Sequence, residues 1–219
     1  MTAGPRIALI HATTLSMGPT SAAFAAHWPD AEPMHILDNM LSNDRRDAGD
    51  LTAELSERIG RLADYGLDAG AKGVLYCCSA FGPAIDAVKE AHAVPVLRPN
   101  EAMFTAALQA GTRLVMLATF AASIASMERE FQRLLADTGS DAELSSVVVE
   151  GARDAINADD ADTHDRLISE AAAAAGSCDA ILLAHFSMDR ARGQAAAAVQ
   201  VPVLSAPETA VMRMRELLS

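Results

Sequence analysis

The sequence predicts an α/β fold of two similar lobes, each a mostly parallel four-stranded sheet flanked by helices, related by pseudo-twofold symmetry. Short apolar runs alternate along the chain with segments of helical spacing, the pattern of βα units whose parallel strands are buried on both faces. The pattern restarts near residue 113. Pieces of the two halves also align at a nearly constant displacement. VPVLRPNEA from Val94 matches VPVLSAPETA from Val201, and LYCCSAF matches LLAHFSM with Cys78 on His185, each pair 107 residues apart; Ala12-Thr13 falls on Ala118-Thr119, 106 apart.

In the first half, Arg6-Ile7-Ala8-Leu9-Ile10 is a buried strand, and a helix follows over residues 19–28. A second strand covers 34–37. Residues 50–70 read as an amphipathic helix because Leu51, Leu55, Ile59 and Leu62 keep one face and Gly70 ends it. Val74 to Cys78 is the third strand, with a helix over 83–92 and a fourth strand over 94–97. The second half repeats this: strands over 113–119, 146–150, 180–184 and 201–204, and helices over 123–135, 163–175 and 189–199. A last helix over 207–218, with Pro207 near its first turn, is expected to pack back on the first lobe. The expected domains are 1–97 with 207–219, and 98–206, with an active-site cleft between them.

Composition narrows the function. Of 219 residues 51% are hydrophobic but only 4% aromatic, which suits alanine-rich helices on aliphatic strands. Seventeen Lys and Arg against 29 Asp and Glu give a net charge of −12 with no basic run, so neither nucleic acid nor an anionic membrane is an expected partner. Three cysteines are too few for a disulfide framework, and the N-terminus carries no secretory signal pattern, so a cytoplasmic location is expected. There is no GxGxxG after the first strand, no GxxxxGK[ST], no HExxH and no paired-cysteine spacing. Nucleotide and metal sites therefore lack support, and no cofactor is expected. The G-x-S-x-G elbow of α/β-hydrolases is also missing.

The chemistry-bearing residues gather at predicted strand ends, where open α/β sheets bind ligands. Cys78 and Ser79 lie where the third strand turns through Ala80 towards Gly82-Pro83 and a helix. A helix N-terminus there is expected to lower the thiol's pKa. Thr13, Thr14, Thr119 and Ser187 are small hydroxyl residues at or beyond other strand ends; with backbone N–H groups they could hold a carboxylate, or cap the helices that follow. His185 stands at the position equivalent to Cys78. His11 also ends a strand, with a weaker match. Cys77 belongs to the core, and Cys178 lies before a strand, on the opposite rim.

With these residues laid out, the chain resembles the aspartate/glutamate/hydantoin racemase superfamily, which also contains maleate isomerase and arylmalonate decarboxylase. The resemblance covers nearly the whole chain and rests on Cys78-Ser79-Ala80-Phe81, Leu117-Ala118-Thr119-Phe120 and Leu183-Ala184-His185-Phe186-Ser187. It implies cofactor-independent movement of a proton at the carbon next to a carboxylate or carbonyl of a small substrate, and a homo-oligomer. Cys78 would be the principal acid/base and His185, standing where the family carries a second cysteine, the opposite-face partner. Thr13, Thr14, Ser79, Ala80, Thr119, Phe120, Phe186 and Ser187 would line the substrate. An early acidic residue of the amino-acid racemases is missing from HATTLS. Two alternatives stay open: a single-thiol decarboxylase or lyase, and a non-catalytic small-carboxylate binder. A depressed Cys78 pKa would favour an enzyme over the binder.

Overall fold

The computed structural model describes residues 4–219. Its first half runs β1 (Arg6–His11), α1 (Met17–His27), β2 (Glu32–Leu37), α2 (Leu41–Ala48), α3 (Ala53–Asp68), β3 (Gly73–Tyr76), α4 (Gly82–Ala91) and β4 (Val96–Leu97). The second runs α5 (Glu101–Ala110), β5 (Arg113–Ala118), α6 (Ala121–Thr138), β6 (Glu143–Val148), α7 (Ala152–Asn157), α8 (Ala161–Ala173), β7 (Ala180–Leu183), α9 (Arg192–Ala197) and β8 (Val203–Ser205), and α10 (Ala206–Leu217) ends the chain. By contacts the chain divides into two compact units. One runs to Pro99 and takes in Ala210–Ser219; the other is Asn100–Thr209.

Each unit holds one four-stranded sheet, in the orders β2-β1-β3-β4 and β6-β5-β7-β8, with every pairing parallel. The central strands are apolar on both faces: Ile7 to Ile10, Val74 to Tyr76, Leu114 to Ala118 and Ala180 to Leu183 are all buried. The edge strand β6 alternates instead between exposed and half-buried residues, so it shows no continuous apolar run and begins at Glu143 rather than at residue 146. In the first unit α3 lies close on β1. A side chain on Gly66 would come within 2.5 Å of Ala8 Cβ, so only hydrogen at that position permits the approach. Met214 of α10 sits against Gly73 in the same way, its sulfur 2.6 Å from where a Cβ would be.

This strand order fixes where a ligand can sit. From β1 the chain crosses to one side to form β2, and from β3 to the other side to form β4. The β1 and β3 carboxyl ends therefore flank a topological switch point, where the two connections part and leave a crevice. The β5 and β7 ends do the same in the second unit. Those four ends are followed by Ala12 to Ser16, Cys77 to Phe81, Thr119-Phe120 and Ala184 to Ala191.

Three helices were not expected from the sequence. The α2 segment LSNDRRDA buries only Leu41 and has no apolar stripe; it is tied down by charge, since Arg58 of α3 pairs with both Asp38 and Asp44. Short α7 and the Ala- and Met-bearing α5 lack a distinct amphipathic period. The helix expected over 189–199 is a 3-10 stretch, Phe186–Ala191, followed by α9.

Candidate active site

Cys78 follows β3 in extended backbone (φ −141°, ψ 125°) and precedes a 3-10 turn, Ser79–Phe81, before α4 opens with Pro83 in its first turn. Its neighbour Cys77 is buried, with its N–H on the Ile10 carbonyl at 2.9 Å. Cys78 itself is half-buried. Ser42, which α2 brings over the end of β1, donates its hydroxyl to the Ala12 carbonyl at 3.3 Å; the Ala80 N–H and the Ser42 side chain beside the sulfur favour its thiolate. Burial nevertheless pushes the Cys78 thiol up, outweighing both. The expected depression of this pKa is thus corrected. The 3-10 turn delays the α-helix by three residues, and a helix terminus acts only over its own first turn.

The β1 loop is held from beneath. His11 is fully buried, with Nδ1 2.7 Å from Ser16 Oγ and Nε2 2.9 Å from His35 Nδ1; Ser21 Oγ is 2.9 Å from His35 Nε2. Ser16 Oγ donates to the Thr13 carbonyl at 3.2 Å, so it accepts from His11, and the protons run one way along the chain with both imidazoles neutral. Burial, together with the neighbouring His35, lowers the His11 pKa to about 4. Thr13 Oγ1 accepts the Leu15 N–H at 3.0 Å and caps the 3-10 turn Thr14–Ser16, which leaves its hydroxyl proton free to donate. Thr14 is exposed at the same end. Arg98, at the end of β4, is committed to Asp86 through Nε at 2.7 Å and through its Nη2.

In the second unit half-buried His185 is held by the β5–α6 loop. The Thr119 backbone N–H donates to His185 Nδ1 at 3.1 Å, and Thr119 Oγ1 lies 3.0 Å from the same nitrogen. On the far side Nε2 is 2.9 Å from Ser123 Oγ, whose own proton goes to the Phe120 carbonyl at 2.7 Å. An amide N–H can only donate, so Nδ1 carries a lone pair. Ser123 has spent its proton, so Nε2 carries the ring hydrogen. Burial, and then the nearby Arg153 charge, lower the His185 pKa to about 4. Arg153 of α7 lies over the exposed Phe120 ring, 4.0 Å from its centroid.

The first unit therefore gathers Thr13, Thr14, Cys78, Ser79 and Ala80 at the β1 and β3 ends, and the second gathers Thr119, Phe120, His185 and Ser187 at the β5 and β7 ends. Phe186 is turned into the interior. Cys178 is buried ahead of β7, at the opposite end of the sheet from His185. Ser42, Ser123 and Arg153 were not singled out in the sequence. Ser42 and Arg153 ride on α2 and α7, two of the three helices without a readable stripe, and Ser123 only opens the helix expected over 123–135. Among the described residues, no group of three or more His, Cys, Asp or Glu side chains is arranged to hold a metal ion, and no helix is long and apolar enough to cross a membrane.

Known proteins share this architecture. An allantoin racemase from Klebsiella pneumoniae superimposes with a TM-score of 0.72 at 19% identity, over 98% of this chain and 88% of that one. A glutamate racemase isoform from Bacillus anthracis gives 0.74 at 14% identity, over 99% and 82%. The Picrophilus torridus aspartate racemase gives 0.73 at 13% identity, over 97% and 94%. No curated protein sequence matches the chain. The Asp/Glu/Hydantoin racemase family model matches residues 7–214. With nearly its whole length matched and the two-sheet architecture in place, the chain belongs to the Asp/Glu/hydantoin racemase family.

Proposed function

We propose that this protein moves a proton at the carbon next to a carboxylate or carbonyl of a small substrate, with Cys78 as the acid/base and no cofactor required. The observation that carries the reading is the Cys78 sulfur itself: half-buried at the β1/β3 switch point, with the Ala80 N–H and the Ser42 side chain beside it favouring the thiolate. Family membership supports a racemase- or isomerase-type activity. A hydrogen beside a carboxylate is weakly acidic, and the enolate formed on losing it needs donors at its oxygens. The Thr13 hydroxyl proton, Thr14, Ser79 and the backbone of the 3-10 turn supply donors without an arginine. The half-buried thiol is protonated at rest, so Cys78 begins as a proton donor, and its capacity to abstract grows as the pH rises.

That resting state also favours a second reading, a single-thiol decarboxylase or lyase, in which a carbanion left by a departing group takes the Cys78 proton; a thiol pKa that is not depressed equally fits a non-catalytic small-carboxylate binder, against which the family membership counts. The three cysteines are free thiols, two of them buried, which suits the reducing cytoplasm as the compartment. The racemases among the structural relatives name the first substrates to try. Each enantiomer of aspartate, glutamate and allantoin is incubated in D₂O and followed by ¹H NMR for loss of the α-hydrogen. Cys78→Ala should lower any exchange by about 10²- to 10⁴-fold, the usual worth of a positioned acid/base. Exchange that persists in Cys78→Ala would refute the assignment. Release of CO₂ or a fragment without exchange would select the second reading.

A further inference from the structure

We infer that His185 is a positioning residue, a fixed hydrogen-bond hub that shapes the loop from Thr119 to Ser123, so that proton transfer runs through Cys78 on one face of the substrate carbon only. The inference rests on the proton-transfer reading for Cys78 and adds the stereochemistry of that reaction. A second acid/base must offer the substrate either a lone pair or a transferable proton. The His185 ring offers neither. Its lone pair, on Nδ1, is filled by the Thr119 amide at 3.1 Å, and its hydrogen, on Nε2, is given to Ser123 at 2.9 Å.

The arrangement is closed at both ends. Thr119 presents a main-chain N–H that has no second role, and Ser123 passes its proton to the Phe120 carbonyl. Protonating Nδ1 would set one N–H against another and break the loop contact. The Arg153 guanidinium, stacked on Phe120 at the same rim, adds a like charge against an imidazolium. The low pKa, about 4, agrees with the geometry. What the hub fixes is the main chain of Thr119 and Phe120 at the end of β5, with the Thr119 hydroxyl also held 3.0 Å from Nδ1 and the Phe120 ring exposed.

The chemical consequence is specific. The Cys78 thiolate takes the α-hydrogen, the C–H electron pair moves into the enolate, and the sulfur exchanges its proton with solvent. The enolate then recovers a deuteron from the same sulfur, on the face it lost a proton from. The product is the starting enantiomer, labelled and not inverted.

The test uses the whole chain, labelled with ¹⁵N. Long-range ¹H–¹⁵N spectra between about pH 5 and pH 8 should show His185 with hydrogen on Nε2 and an unprotonated Nδ1 throughout. Hydrogen on Nδ1, or an imidazolium appearing near the ordinary histidine pKa, overturns the inference. His185→Asn places a carboxamide oxygen where Nδ1 accepts from Thr119, and His185→Ala does not. Thr119 amide exchange should stay slow in His185→Asn and quicken by about tenfold or more in His185→Ala, the loss of one hydrogen bond. For any of the aspartate, glutamate or allantoin probes that exchanges, label should enter without inversion. His185→Asn should retain most of the activity that His185→Ala loses, with the Ala variant's loss expressed in KM more than in kcat. Racemisation as fast as label uptake, or Asn and Ala variants equally dead in kcat, also overturns the inference. If no probe exchanges, that result counts against the proton-transfer reading, while the tautomer and amide exchange still decide His185.

Discussion

Cys78 and His185 occupy the same place in two copies of one βα unit, 107 residues apart, at the ends of the equivalent strands β3 and β7. Their surroundings differ more than their positions. The first residue has the Ala80 N–H and the Ser42 side chain beside its sulfur, both favouring the thiolate. The second is flanked by a donor at one nitrogen and an acceptor at the other, and both belong to the adjoining β5–α6 loop. The same strand end thus yields an atom able to exchange a proton in one lobe and a brace for the loop in the other. What a strand-end residue does depends on whether the neighbouring loop has already used its hydrogen-bonding capacity.

The sharpest way to break this contrast is to remove the sulfur. Cys78→Ser keeps a small hydroxyl in the same surroundings but with a far higher pKa, so it should lose nearly as much exchange as Cys78→Ala. Near-normal exchange in the Ser variant would show that the thiol's acidity is not used.

The next effect in size is acid sensitivity, which each lobe should show through its own neutral histidine. His11 and His185 both have pKa values of about 4 in the fold against 6.5 when unfolded. A depressed histidine pKa means the unfolded chain binds more protons, so the stabilisation is complete above pH 6.5 and is lost as pH falls towards 4. The loss approaches about 3 kcal/mol for each group. Thermal midpoints should therefore drop across that window, and less steeply in His185→Asn. A flat profile would mean that these rings are accessible to protons in the folded state.

Smaller effects sharpen the contrast. Ser42→Ala removes one of the two groups favouring the Cys78 thiolate and should raise its pKa further, seen as a shift of thiol alkylation to higher pH. An unchanged profile would take Ser42 out of the site. Arg153→Gln removes the lesser of the two influences on His185, so that pKa should rise slightly while staying well below 6.5. A return to an ordinary histidine value would mean charge, not burial, keeps the ring neutral.

The two lobes were legible in the sequence because strands buried on both faces have to be written as unbroken apolar runs, and the repeat brought Cys78 and His185 into register. The strand-end location of Thr13, Cys78, Thr119 and His185 followed from those same runs; that these ends flank switch points came from the strand order. The rest was hidden for physical reasons. Helix α2 is held by Arg58 bridging Asp38 and Asp44 rather than by an apolar stripe, so Ser42 could not be placed. The His185 tautomer depends on Thr119, 66 residues away in sequence. The direction of the Cys78 shift is set by burial, which depends on how the loops pack and is not written in the residues around the thiol.

The most direct measurement is the pH dependence of iodoacetamide labelling in the native protein, resolved by mass spectrometry among Cys77, Cys78 and Cys178. Cys78 should label first of the three, at a rate that keeps climbing through and beyond the ordinary thiol range. A rate that levels off near neutral pH, or a Cys78 as silent as Cys77 until the protein unfolds, would contradict a protonated and reachable thiol at the centre of this site.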